Sequence, residues 1–427
     1  MRILIINFFY APVVDAHTYR WEQIARHWVA EGNSVDVITN RVIGCDDQSV
    51  DFGVNVTRVG LFPRPLNLGV QGKVSSNSLK RRLRSRLINM LRPIYRTVYW
   101  PDALWHWIPS VINEVSRRDP KNYDLVISYY PFMAAHIAGA ILKQRGGPGI
   151  TWIADYGDPF SISTSMQPNN FRLFRRLNLV LERAIAKRVT SMVFTNESTA
   201  EAYRRNFPEA NIIVLPHVAN VGALRASNIG GAGDDSVRGS KARRMILVYV
   251  GSFHRNIREP GRLLDLVRHL NNYDGNKFLL RIYGPDNGFN LAGLAGPDVE
   301  YMGAIPRALA IEVMQHADVL VNVENSNCVM TPSKIVEYIA TGRPIINIST
   351  GGECDKALKE YIAGGHAFSV GAHGSTSAAI ASLRKFLGAE RKQTAAHATI
   401  DEILDGYSLQ HISSQYLKLA NKHGKPS

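Results

Sequence analysis

TPSKIVEYIATGRPIIN, from Thr331 to Asn347, contains a helix start, a helix stop and the beginning of a strand. Thr331 can cap a helix, and Pro332 suits its first position because a proline there loses no helical hydrogen bond. Gly342 and Pro344 end the helix and lead into an Ile-rich strand. The free N–H groups of Ser333 and Lys334 then point outward at the positive end of the helix dipole, a site suited to a diphosphate. Lys334 adds a full charge in the same turn. Glu337, three residues on, shares its face, where a carboxylate can accept hydrogen bonds from paired ribose hydroxyls. Taken alone, the segment reads equally as a capped core helix with a solvated Lys and Glu.

Working outward, β-branched runs alternate with helical patterns on both sides. Toward the C-terminal half, strands are expected at Met245–Val250, Leu279–Tyr283, Val319–Val323 and Pro344–Ile348, with helices at Gly261–Leu270, Arg307–His316 and Ser333–Thr341. The N-terminal half gives strands at Ile3–Asn7, Ser34–Thr39, Asp124–Ser128, Gly149–Ala154 and Ser191–Phe194, with helices at Tyr19–Glu31 and Phe132–Gln144. Such alternation implies parallel βαβ units. The expected fold class is therefore α/β, with two Rossmann-like doubly wound domains and a ligand cleft between the carboxyl ends of their strands. The chain's 427 residues suit two domains of roughly 200 each. Residues 1–218 form the first and 219–407 the second, with a mobile Gly/Ser-rich loop at 226–243. The amphipathic stretch 408–427 is a helix that packs back on the first domain.

Composition excludes several classes. The apolar run of MRILIINFFY is short for a signal peptide and lacks a small-residue cleavage site, so it reads as a buried strand. No stretch approaches the roughly 18 apolar residues of a membrane span. Cys45, Cys328 and Cys354 are scattered without metal-ligand spacing, which predicts reduced thiols in the cytoplasm and no metal site.

The net charge of +14 is concentrated. No acid occurs from Phe52 to Pro101, whereas Arg58, Arg64, Lys73, Lys80, Arg81, Arg82, Arg84, Arg86, Arg92 and Arg96 all do. Within the basic segment 73–107, leucines recur at helical spacing, Pro93 divides the helix, and Trp100, Trp105 and Trp107 follow. A basic amphipathic helix with nearby tryptophans reads as a surface lying on anionic lipid. The other readings are leucines facing a core beneath solvated arginines, tryptophans in the domain interior, and a grip on single-stranded nucleic acid; the Rossmann-like pair argues against the last.

The Thr331–Asn347 segment resembles the donor-site signature of family 4 glycosyltransferases of the GT-B fold. The order YVGSFHRN (Tyr249–Asn256), IYGPDN (Ile282–Asn287) and VEYMGAIPRALAIEVMQHADVLVNV (Val299–Val323) is similar to the family's donor domain. YDLVISYYP (Tyr123–Pro131) and TWIADYGDPF (Thr151–Phe160) are similar to its acceptor-side strands. The resemblance implies that Glu337 binds the donor ribose, and that Lys334 and Arg255, with Arg258 as a second candidate, neutralise the diphosphate. Ser333 would add its amide, and Gly251 and Gly284 would let the backbone approach the nucleotide. Asp158 would orient the acceptor hydroxyl or donor sugar, with Asp155 a weaker candidate, although a turn aspartate before proline needs no function.

Two departures stand out. The family's second glutamate, eight residues before the ribose-binding one, is Val329 here, with Glu324 and Asn325 as polar residues nearby. The glycine-rich loop after the first strand is replaced by Asp15, Ala16 and His17; His17 either meets the donor sugar or caps the next helix. The resemblance implies retaining, metal-independent transfer from a nucleotide-diphosphate sugar, with no other cofactor, to a lipid-linked or saccharide acceptor in bacterial surface-polysaccharide assembly. The enzyme would sit on the inner face of the plasma membrane, with Arg81, Arg82, Arg84, Arg86 and Trp105 toward acceptor and lipid. Rival readings are a nucleotide-sugar epimerase of the same fold and a non-catalytic nucleotide-sugar or lipid-binding module. The donor base, sugar, linkage and oligomeric state are open.

Overall fold

The computed structural model describes residues 1–13, 16–65, 97–163, 167–218, 244–275, 277–326, 334–351, 354–371, 377–390 and 395–423. The basic stretch with Arg81, Arg82, Arg84 and Arg86, the loop expected at 226–243, and Val329 and Ser333 lie outside these residues, as do Asp15 and the side chain of His17.

The chain divides into two compact units, Met1–Pro216 with Leu409–Ser427, and His217–Ser408. The first carries β1 (Arg2–Ile6), β2 (Ser34–Val42), β3 (Gln48–Asp51), β4 (Val54–Arg64), β5 (Leu125–Tyr130), β6 (Thr151–Tyr156), β7 (Ser191–Phe194) and β8 (Ile212–Val214). They lie in the order β3-β4-β2-β1-β5-β6-β7-β8, parallel throughout except for the β3–β4 hairpin. The second carries β9 (Met245–Val250), β10 (Phe278–Tyr283), β11 (Val299–Gly303), β12 (Val319–Val323), β13 (Ile345–Ile348) and β14 (Ala367–Val370). Its order is β11-β10-β9-β12-β13-β14, all parallel.

The central strands are near-continuous apolar runs because helices cover both faces of a parallel sheet. β5, β6, β7, β12 and β13 are buried at every residue, whereas the edge strands β3, β8 and β11 are only half-buried. In the second unit the chain runs β9, β10, β11 toward one edge, then crosses back to β12 beside β9. That reversal opens a crevice at the carboxyl ends of β9 and β12, where doubly wound sheets bind ligands. The first unit has the same switch between β1 and β5.

The C-terminal helix Leu409–His423 belongs to the first unit. Tyr416 packs tilted against Trp21 and edge-to-face with Trp28, and the Trp28 indole N–H donates to the Ser413 carbonyl at 3.3 Å. Among the described residues no helix is long and apolar enough to cross a membrane.

Candidate active site

The loops at the carboxyl ends of β9, β10 and β12 are tied to one another. Ser326, after β12, donates its amide to the Ile257 carbonyl at 2.6 Å. Arg258 donates through Nε (3.0 Å) and Nη2 (2.6 Å) to Oδ1 of Asn325. On the other side, Asn287 donates to the Phe253 carbonyl at 2.9 Å. Arg255 is exposed, donates to the Gly288 carbonyl at 3.0 Å, and lies over the Phe289 ring. Both expected phosphate-binding arginines therefore stand at this carboxyl edge, Arg258 toward β12 and Arg255 toward β10.

Gly284 has a reason to be glycine that lies in the fold itself. Gly284 has φ +152°, and a Cβ there would stand 1.9 Å from the Gly251 carbonyl oxygen. The turns after β9 and β10 thus press backbone on backbone, and a side chain would force them apart.

The helix Lys334–Ala340 meets the same edge. The Tyr338 hydroxyl accepts from the Val250 amide at 2.8 Å and donates to the Val250 carbonyl at 3.0 Å, clamping the end of β9. One residue earlier, Glu337 is 14% exposed and lies between two cations. Lys334 Nζ is 3.0 Å from one carboxylate oxygen, and Arg307 Nη2 is 2.8 Å from the other. Burial would raise the Glu337 pKa, but Lys334 and Arg307 outweigh it and hold it below the usual value. Sequence reasoning placed Lys334 and Glu337 together and missed Arg307. Its one signal is position, at the start of the helix Arg307–Gln315 just after Pro306.

Glu324, at the carboxyl end of β12, is bonded within the fold. It is buried, and its carboxylate accepts from Asn347 Nδ2 (2.7 Å), Ser349 Oγ (2.9 Å) and the Thr350 amide (3.2 Å). It braces the end of β12 against the end of β13. Asn325, by contrast, orients Arg258.

In the first unit, Asp158 is half-buried on the loop after β6 and acts electrostatically on Tyr129 and Tyr130. The loop is held from behind. The Phe160 amide donates to the Tyr203 hydroxyl (2.8 Å), which donates to Glu182 (2.9 Å), and the other Glu182 oxygen accepts from the Ser161 amide (3.1 Å). Burial pushes the Glu182 pKa up to about 7, although the Ser161 and Tyr203 hydrogen bonds oppose the rise. Neither Glu182 nor Tyr203 was found from sequence; they stand on separate helices, Phe171–Ala186 and Glu197–Asn206.

Two expectations are corrected. Asp155 is no site residue: it lies on β6, fully buried, hydrogen-bonded to the Tyr416 hydroxyl and 3.7 Å from Arg20. The tryptophans do not share a headgroup boundary either. Trp107 is fully buried and donates to the Val59 carbonyl at 2.8 Å, and Trp100 donates to Asn178 at 3.0 Å. Trp105 is 44% exposed.

Residues 17–217 match the Glycosyl transferase 4-like domain, and residues 244–387 match the Glycosyl transferases group 1 domain. No curated protein matches the chain. Among solved structures it is similar to a sucrose-phosphate synthase from Thermosynechococcus elongatus, with TM-score 0.63 and 16% identity over 99% of this chain and 98% of that one. WaaG, a glycosyltransferase involved in lipopolysaccharide biosynthesis, gives TM-score 0.52 and 16% identity over 99% and 100%. HepE from Anabaena, solved with UDP and glucose, gives 0.51 and 12% over 99% and 100%. At these identities the likeness is one of fold.

Proposed function

The chain belongs to the GT-B glycosyltransferases, and from that premise we propose that it moves a sugar, with retention, from a nucleotide-diphosphate sugar to a lipid-linked or saccharide acceptor of a bacterial surface polysaccharide. The observation that carries this reading is the Lys334–Glu337–Arg307 group beside the end of β9. A carboxylate offers about four lone-pair directions. Two face the cations, and the others are left for the two ribose hydroxyls of a nucleotide. Because the cations keep Glu337 ionised, it stays an acceptor at neutral pH.

Arg255 and Arg258 supply guanidinium forks for the diphosphate, with Lys334 and the Ser333 amide as further donors. Holding the departing nucleotide diphosphate is the main electrostatic task in glycosyl transfer. These cations take it on, and the proposed reaction calls on no metal. Asp158, on its braced loop, orients the acceptor hydroxyl. No carboxylate is assigned as a covalent nucleophile, so the hydroxyl attacks from the side the diphosphate leaves, and its proton passes to the leaving phosphate oxygen. A cytoplasmic enzyme peripheral to the inner face of the plasma membrane fits a lipid-held acceptor.

The test is Glu337→Ala. Donor affinity, titrated across UDP-, GDP-, ADP- and dTDP-sugars, should fall at least about tenfold, equal to about 1.4 kcal/mol, with the circular dichroism spectrum intact. Unchanged affinity would overturn the assignment.

A further inference from the structure

The helix Phe171–Ala186 faces two ways. Asn178, Glu182, Ile185 and Ala186 are buried and turned to the domain. Outward, Leu173, Leu177 and Val180 are 62%, 49% and 62% exposed. Their i, i+4, i+7 spacing forms one stripe along the helix. Arg172, Arg176, Arg183 and Lys187, all exposed, run beside it at i, i+4, i+11 and i+15, and Arg188 lies at the end on the other flank. The helix's one acid is Glu182, turned inward. Exposed leucines at helical spacing are costly in water, and a flank of cations without exposed acids repels itself unless an anionic surface neutralises it.

We propose that this outer face lies on an anionic lipid surface, with Leu173, Leu177 and Val180 entering the headgroup–acyl boundary and the basic flank meeting lipid phosphates. The partner is chosen by charge complementarity together with the apolar stripe: an anionic lipid surface satisfies both at once. The inference deepens the membrane part of the proposed function and rests on it. It also places the docking helix directly behind the acceptor loop, since Glu182 on its inner face holds Ser161 and Tyr203.

The test uses the full chain in co-sedimentation with phosphatidylcholine vesicles, with and without phosphatidylglycerol. The triple variant Leu173→Ser, Leu177→Ser, Val180→Ser should bind the anionic vesicles about tenfold more weakly or worse. The variant Arg172→Gln, Arg176→Gln, Arg183→Gln, Lys187→Gln should lose the preference for phosphatidylglycerol and show a shallower salt dependence. Both should bind nucleotide-sugar as the wild type does, so a failure of docking is read separately from a failure of the transferase assignment. Unaltered vesicle binding by both variants overturns the proposal. So does a triple variant that turns a dimer into a monomer while vesicle binding stays unchanged, which would make the stripe a contact between copies.

Discussion

Asp155 of the first domain and Glu337 of the second are both carboxylates set between two partners, yet their surroundings differ. Asp155 is 0% exposed and Arg20 is 4% exposed; Tyr416, which bonds both, is buried. Glu337 is 14% exposed, and its partners Lys334 and Arg307 are 31% and 33% exposed. In the first group every charge is neutralised inside the domain, and the product is a fixed C-terminal helix. In the second, the carboxylate and both cations stand part-exposed at the carboxyl edge of the sheet. Residue type does not separate scaffold from site here. Burial of the partners does.

The comparison predicts different failures. Asp155→Ala leaves Arg20 buried without its counter-charge, which costs about 3–5 kcal/mol. Denaturant unfolding should show the first domain losing most of its stability, while the folded protein binds donor normally. A loss of donor affinity at unchanged stability would erase the distinction. The next effect in size is at Glu182. Its ordinary value of 4.5 is raised by burial to about 7, so the folded protein holds this proton more tightly than the unfolded chain does. The resulting stabilisation is complete below the ordinary value and is lost as pH rises through about 7, a change on the order of 3 kcal/mol. Glu182→Gln should flatten most of that slope. A slope of the same sign and comparable size should persist at lower pH from Asp102, which burial pushes up to about 6. A pH profile unchanged by Glu182→Gln would place the titration elsewhere.

Much of this arrangement was legible beforehand, and the physical reason is visible in what was not. Strands such as β1, β12 and β13 announce themselves because burial on both faces demands an unbroken apolar run. The edge strand β3, QSVD, is half-exposed and carries no such run. The helix Phe171–Ala186 escaped notice because three of its apolar residues face outward, which blurs the 3.6-residue period. Lys334 and Glu337 were readable as an i, i+3 pair, whereas Arg307 lies 30 residues away and reaches Glu337 only through the fold. Asp155 and Asp158 look alike in DYGDP. The residue that decides between them, Tyr416, is 261 positions from Asp155.

The smallest effect tests how the second carboxylate is tuned. Burial raises the Glu337 pKa, and Lys334 and Arg307 together bring it below the ordinary 4.5. Arg307→Ala leaves burial opposed by Lys334 alone, so the pKa must climb. The proposed ribose contact needs the Glu337 carboxylate, so donor affinity should be present above its folded pKa and lost as pH falls through it. In Arg307→Ala that loss should begin at a higher pH than in the wild type, while Arg307→Lys keeps the wild-type profile. The cost in global stability should stay within about 1 kcal/mol, since Arg307 is one-third exposed and the pair is screened. An acid limb that overlays the wild type would assign the tuning to Lys334. Glu337 would then resemble a one-partner surface pair more than the two-partner clamp at Asp155, and the parallel between the two carboxylates would fail at its base.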